Sequence, residues 1–140
     1  MNKKMNNKGF SLIELIIVIA IMAVLIGVLG PTLYKYVQKS KEATDITNLD
    51  TCVSVVQAAF AEEGIPTGGV TISGSAGNVF ASTGTAQTAL TNAGAAATEV
   101  KGPWTSISAT ISEGGEVTYA AAGGKYYQVK SGDHAFEPIP

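Results

Sequence analysis

Hydrophobic and polar positions divide the chain into three stretches with different periods. Leu15 to Ile26 is apolar without interruption, and Val28, Leu29 and Leu33 carry that character past Gly27 and Pro31. The twenty residues from Phe10 to Leu29 span about 30 Å as a helix, the thickness of a bilayer's hydrocarbon core. Beyond Pro31 the pattern changes. Ile46, Leu49, Val53, Val56 and Phe60 recur at steps of three and four, one apolar stripe on an amphipathic helix extending from about Thr32 to Glu63. Lys39, Lys41, Glu42, Asp45 and Asp50 are expected mostly off that stripe. Gly64 is placed to end the helix and Pro66 to prevent its resumption.

The period then falls to two. Ile107, Ala109 and Ile111 alternate with Ser and Thr, predicting a half-buried strand over Thr105–Ser112. Glu116–Ala121 sets Val117, Tyr119 and Ala121 on one face, and Lys125–Lys130 does the same with Tyr127 and Val129. A last short strand is expected at His134–Glu137. Turns at Glu113-Gly114-Gly115, Gly123-Gly124 and Ser131-Gly132-Asp133 join these into an antiparallel meander. Its inner face is expected to cover the Ile46–Phe60 stripe, with Trp104 sealing one end. Between helix and meander, residues 64–104 are rich in Gly, Ser, Thr and Ala and read as a long loop, with a short helix over Ala86–Ala93. The fold class is therefore α+β: a long N-terminal helix, first membrane-spanning and then amphipathic, packed on a small C-terminal antiparallel sheet. The expected divisions are 1–9, 10–31, 32–63, 64–104 and 105–140.

Composition narrows the function. The 140 residues carry nine lysines, no arginine and eleven acids, for a net charge of -2, and charged residues are only 14% of the chain. No basic stripe exists for nucleic acid. A low-charge surface suits packing against a membrane or against copies of the same chain. Cys52 is the sole cysteine, so no intramolecular disulfide can form; beside the apolar stripe it reads as a small buried thiol. No Cys/His ligand cluster is present, His134 is the only histidine, and Gly124-Lys125 lacks the rest of a phosphate loop. Asp133 and Glu137 are too few to argue for a metal and read as part of an exposed turn. No catalytic residue, metal or cofactor is expected.

The N-terminal segment admits three readings. A secretory signal peptide needs small residues at a cleavage site after the apolar run, and Gly30 there is followed by Pro31. A plain anchor explains the hydropathy but not Glu14, an acid whose cost at mid-bilayer is on the order of 2.5–3.5 kcal/mol. The third reading cuts before the apolar run. Lys3, Lys4 and Lys8 precede Gly9, and Phe10-Ser11-Leu12-Ile13-Glu14-Leu15 opens the run; by the positive-inside rule the lysines lie in the cytoplasm.

With those residues the chain resembles the type IV filament superfamily, the type IV pilins, type II secretion pseudopilins and competence relatives. The short leader and the phenylalanine resemble the type IVa class. The resemblance implies cleavage by a prepilin peptidase between Gly9 and Phe10, methylation of the Phe10 amine, and Glu14 as the assembly residue. In that role Glu14 pairs with the Phe10 amine of a neighbouring subunit. Such a pair about 4 Å apart gains on the order of 4 kcal/mol at an effective dielectric near 20. The implied partners are further copies of the chain, minor pilins, the peptidase, an assembly ATPase and a membrane platform protein; no direct nucleic-acid partner is implied. The implied location is the bacterial cytoplasmic membrane before assembly and a surface or envelope filament after it. Gly27, Gly30 and Pro31 are expected to bend the helix or let it melt in the filament. Many pilins close a C-terminal loop with a disulfide that this chain cannot form; some relatives, notably from Gram-positive bacteria, also lack it. A pseudopilin of secretion or DNA uptake is the nearest alternative, and a non-polymerising tethered binding module is a third.

Overall fold

A computed structural model describes residues 9–130 and 135–140. The expected turn at Ser131-Gly132-Asp133, and with it His134, lies outside the described residues, as do the leader lysines. The chain divides into two compact units, one ending at Tyr36 and the other running Val37–Pro140.

Helix α1 spans Leu12–Ala59 and contributes to both units. It passes Gly27, Gly30 and Pro31 without a break in its helical assignment. Pro31 deprives the Gly27 carbonyl of its intrahelical donor, yet one missing bond does not unwind the flanking turns. The helix stops four residues before the expected end. Residues 60–63 form a turn, closed by the Gly64 N–H donating to the Phe60 carbonyl at 2.9 Å.

The second unit is built around α1's C-terminal half. Leu49, Val53, Val56 and Phe60 are buried there and Ile46 packs at the margin. Cys52 is 1% exposed, and burial pushes its thiol up to about 11. The buried stripe differs from the expected one in a way that matters: it continues upstream through Asp45 and Glu42, both 0% exposed. Residues 42, 45, 49, 52, 56 and 60 form one line at helical spacing. The two acids expected off the stripe lie on it.

Each buried carboxylate is satisfied by three N–H donors from distant segments. Asp45 Oδ1 accepts from the Lys101 amide at 2.9 Å, while Oδ2 accepts from the Gly102 amide at 2.6 Å and Trp104 Nε1 at 3.1 Å. Glu42 Oε1 accepts from the Lys125 amide at 2.8 Å, and Oε2 from the amides of Tyr126 at 2.9 Å and Tyr127 at 3.1 Å. Burying a carboxylate without such partners is costly, and these donors replace water. Glycine is required at two of the approaches. A Cβ on Gly102 would lie 2.7 Å from Trp104 Nε1 and 2.8 Å from Asp45 Oδ2. A Cβ on Gly124 would collide with the Trp104 ring. The turn at Gly123-Gly124 thus lies against the indole and delivers the next three amides to Glu42.

The sheet also departs from expectation. Three strands pair antiparallel in the order β1-β2-β3: β1 Val70–Gly74, β2 Ser106–Ile111 and β3 Val117–Ala122. β1 lies where a loop is expected. Its partners place Val70 opposite Ile111 and Ile72 opposite Ala109, so Val70, Ile72, Ile107, Ala109 and Ile111 form a buried face. In the next ladder Ala109 faces Tyr119 and Ile111 faces Val117. Strands β4 Tyr127–Val129 and β5 Phe136–Pro138 pair only with each other, so the expected single meander is two sheets. Phe136 ties them to the core by edge contacts with Trp104 at 6.1 Å and Tyr119 at 5.4 Å between ring centroids.

Residues 64–104 are correspondingly more ordered than a loop. Besides β1 they hold helix α2, Thr85–Asn92, and a turn of 3-10 helix over Ala95–Ala97. They supply Val70, Ile72, Phe80, Ala86, Leu90, Ala95, Val100 and Trp104, half of the buried apolar residues described.

Candidate functional site

Chemistry concentrates at the start of α1. Gly9, Phe10 and Ser11 are non-helical, and the helix begins at Leu12. Phe10 is 92% exposed, and nothing lies within 4 Å of where a Gly9 side chain would start. The peptide bond between Gly9 and Phe10 thus lies outside the helix, beside an exposed Phe10 side chain.

The helix start is set by a reciprocal pair of hydrogen bonds. The Ser11 N–H donates to Glu14 Oε2 at 3.1 Å, and the Glu14 N–H donates to Ser11 Oγ at 3.3 Å. This is a capping box, which satisfies two of the amides that a helix N-terminus leaves without partners. The sequence signal for it is Ser11-Leu12-Ile13-Glu14, at the start of the apolar run; a docking charge alone does not require Ser11. The structure therefore gives Glu14 a task inside its own chain. That task does not exhaust the side chain, because a carboxylate accepts more than two hydrogen bonds.

From Leu12 to Leu33 every described side chain faces outward, except for half-buried Gly30, which has no side chain. Leu15, Ile16, Val18, Leu25 and Leu29 are each more than half exposed. This part of α1 is long and apolar enough to cross a membrane, and none of its most apolar window is buried within the chain. An apolar surface of that extent on a folded protein marks contact with lipid or another chain.

Among the described residues no cluster of His, Cys, Asp or Glu is grouped to hold a metal. Gly124-Lys125 is occupied internally, since the Lys125 amide bonds Glu42. Two exposed acids of the second unit tie distant segments together: Asp50 accepts the Tyr119 hydroxyl at 2.7 Å, and Glu113 accepts the Gly68 amide.

Residues 4–30 match the family described as the prokaryotic N-terminal methylation motif. The motif is the class III signal peptide of type IV pilins and pseudopilins, and it implies processing by prepilin peptidase and assembly into a filament. It supports a type IV pilin-like or pseudopilin protein, a structural subunit rather than an enzyme. With the exposed apolar helix it fits a membrane-anchored pilin. No curated protein and no solved structure matches the chain.

Proposed function

We propose that the chain is the structural subunit of a type IV pilus. It is cut between Gly9 and Phe10, methylated on the Phe10 amine, held in the cytoplasmic membrane by the apolar part of α1, and polymerised through that same helix. The observation that carries this reading is the placement of an acid, Glu14, one helical turn beyond the non-helical Gly9-Phe10 bond, at the mouth of an exposed apolar stretch of α1. Glu14 pairs with the Phe10 amine of a neighbouring subunit while continuing to cap its own helix. Cleavage removes three of the nine lysines and none of the acids, releasing the basic cap that holds the N-terminus in the cytoplasm. An assembly ATPase and a platform protein drive polymerisation, and the residue 37–140 unit coats the fibre, so its Ser/Thr/Gly-rich surface decides what the fibre touches.

The capping box makes the test sharper. Glu14→Gln keeps a side chain that can close the box but removes the charge, whereas Ser11→Ala removes one cap bond and keeps the charge. Loss of a cap costs about 1 kcal/mol, against roughly 4 kcal/mol for an ion pair at 4 Å and an effective dielectric near 20. Labelled electron microscopy of surface filaments, with mass measurement of the mature N-terminus, reads both steps. Glu14→Gln is expected to be cleaved but not assembled, and Ser11→Ala to assemble. Normal filaments from Glu14→Gln would refute the charge pairing. Filaments confined to the envelope in the unaltered protein would replace the pilus with a pseudopilus.

A further inference from the structure

The exposed apolar surface of α1 ends in an unusual group. Tyr34 is 63% exposed and Tyr36 68% exposed, with exposed Lys35 between them. Neither tyrosine is among the residues of the hydrophobic core or packed against it. Two features say what covers them.

The first is depth. Twenty residues of helix cross about 30 Å of hydrocarbon. If Phe10, whose new amine is charged after cleavage, marks the inner edge of the hydrocarbon, the outer edge falls near residue 30. If Glu14 marks it, the outer edge falls at Tyr34. Under the Glu14 anchor Tyr34 lies at the outer hydrocarbon boundary and Tyr36 about 3 Å beyond it, both within an interfacial layer of about 5–7.5 Å on each side; under the Phe10 anchor Tyr34 is about 6 Å out and Tyr36, at about 9 Å, passes that layer.

The second is direction. Residues two apart on an α-helix project about 200° apart. One partner helix packed along a single seam cannot cover both rings, but a headgroup layer surrounds the helix and meets both. Tyrosine suits that layer, with an apolar ring beside acyl chains and a hydroxyl among headgroup oxygens, and a neighbouring lysine can reach lipid phosphate.

We propose that Tyr34, Lys35 and Tyr36 form an interfacial belt that binds the phospholipid headgroups of the outer leaflet and sets the depth of the unassembled subunit. This rests on the membrane-held reading above. It adds an opposing anchor: the leader lysines are lost on cleavage, whereas the belt is retained, so after processing the outer leaflet fixes the subunit. Extraction into a filament must then strip two phenols and an ammonium from headgroups as well as move the apolar run.

The test uses the full chain reconstituted in vesicles of phosphatidylethanolamine and phosphatidylglycerol. Single cysteines introduced from Val28→Cys to Ser40→Cys are probed with a membrane-impermeant maleimide; buried Cys52 stays silent. The boundary between protected and labelled positions is expected at Tyr34–Val37. Replacing both belt tyrosines by serine, Tyr34→Ser with Tyr36→Ser, removes the outer anchor, so the twenty-residue span counted from Phe10 sets the depth. The boundary then moves N-terminally toward residue 30, by about one turn, some 3.6 residues. Tyr34→Trp with Tyr36→Trp is expected to leave it in place. An inserted chain whose boundary ignores the serine pair overturns the belt alone. A chain that resists insertion in every version overturns the belt and the membrane-held subunit together.

Discussion

Asp45→Asn isolates what a buried carboxylate does for the unit that α1 anchors. Asp45 receives three donors, Lys101 and Gly102 amides and Trp104 Nε1, at 2.9, 2.6 and 3.1 Å. Asparagine offers one acceptor atom and one NH2 group. Oriented with its oxygen toward Lys101, it points NH2 at two donors; flipped, it keeps Gly102 and Trp104 and points NH2 at Lys101 alone. The flipped form is cheaper and leaves one amide without an acceptor, costing about 1–3 kcal/mol. The two retained bonds lose their charge assistance, roughly 1 kcal/mol each. The sum is about 3–5 kcal/mol, a large part of the roughly 5–15 kcal/mol that holds a domain folded. Asp50→Asn is the control, since exposed Asp50 holds only the Tyr119 hydroxyl among the bonds described. Urea unfolding of the full chain in detergent micelles, followed by the emission of buried Trp104, measures both. An Asp45→Asn chain within 1 kcal/mol of the unaltered protein, on the scale of a typical exposed polar change, would show that the three bonds contribute little net stability.

The remaining predictions concern titratable groups of the same unit. Burial pushes the Cys52 thiol up to about 11, so a thiol reagent near neutral pH should leave the native chain unmodified and react in urea, making alkylation a probe of opening. Burial, and then the hydrogen bond and charge of Asp50, push the Tyr119 phenol from 10.0 up to about 12. The folded chain thus holds this proton more tightly than the unfolded one. Its stabilising contribution is complete below pH 10 and fades as pH rises toward about 12, and Tyr119→Phe should remove that part of the alkaline loss in a pH series of urea curves.

What could be read from the chain follows the range of the interactions. Helix α1, strands β2 and β3 and the short helix α2 rest on local periodicity, and local periodicity locates them to within a few residues. β1 has only Val70 and Ile72 on its inner face, too few for alternation to stand out among glycines; the ladder with β2 makes it a strand. The meander breaks after Ala122 because Gly123-Gly124 is drawn against Trp104 and Glu42, and β4 then finds β5 instead of β3. The capping box at Ser11 and Glu14 was legible as Ser-x-x-Glu. Asp45 and Glu42 were not, since their donors lie between 56 and 85 residues away. By charge alone, an acid on a helix belongs to the solvated face.

Three of the acids on α1 therefore do two different things, and the source of the N–H donors decides which. Glu14 meets a donor three residues away, so its geometry is complete as soon as the first turn forms, before any partner arrives. Asp45 and Glu42 meet theirs only when residues 101–104 and 125–127 have come back onto the helix, so they report on completed folding. The Phe10 amine of another subunit, proposed as Glu14's further partner, arrives last. Each acid can then fail alone. Asp45→Asn weakens residues 37–140 while leaving the non-helical Gly9-Phe10 bond beside an intact cap, so its leader should still be removed. Glu14→Gln leaves every bond of the Asp45 and Glu42 clasps in place, so its urea midpoint should match that of the unaltered chain even though it forms no filament. If the two substitutions instead shared one phenotype, the assignment of separate tasks along α1 would be wrong.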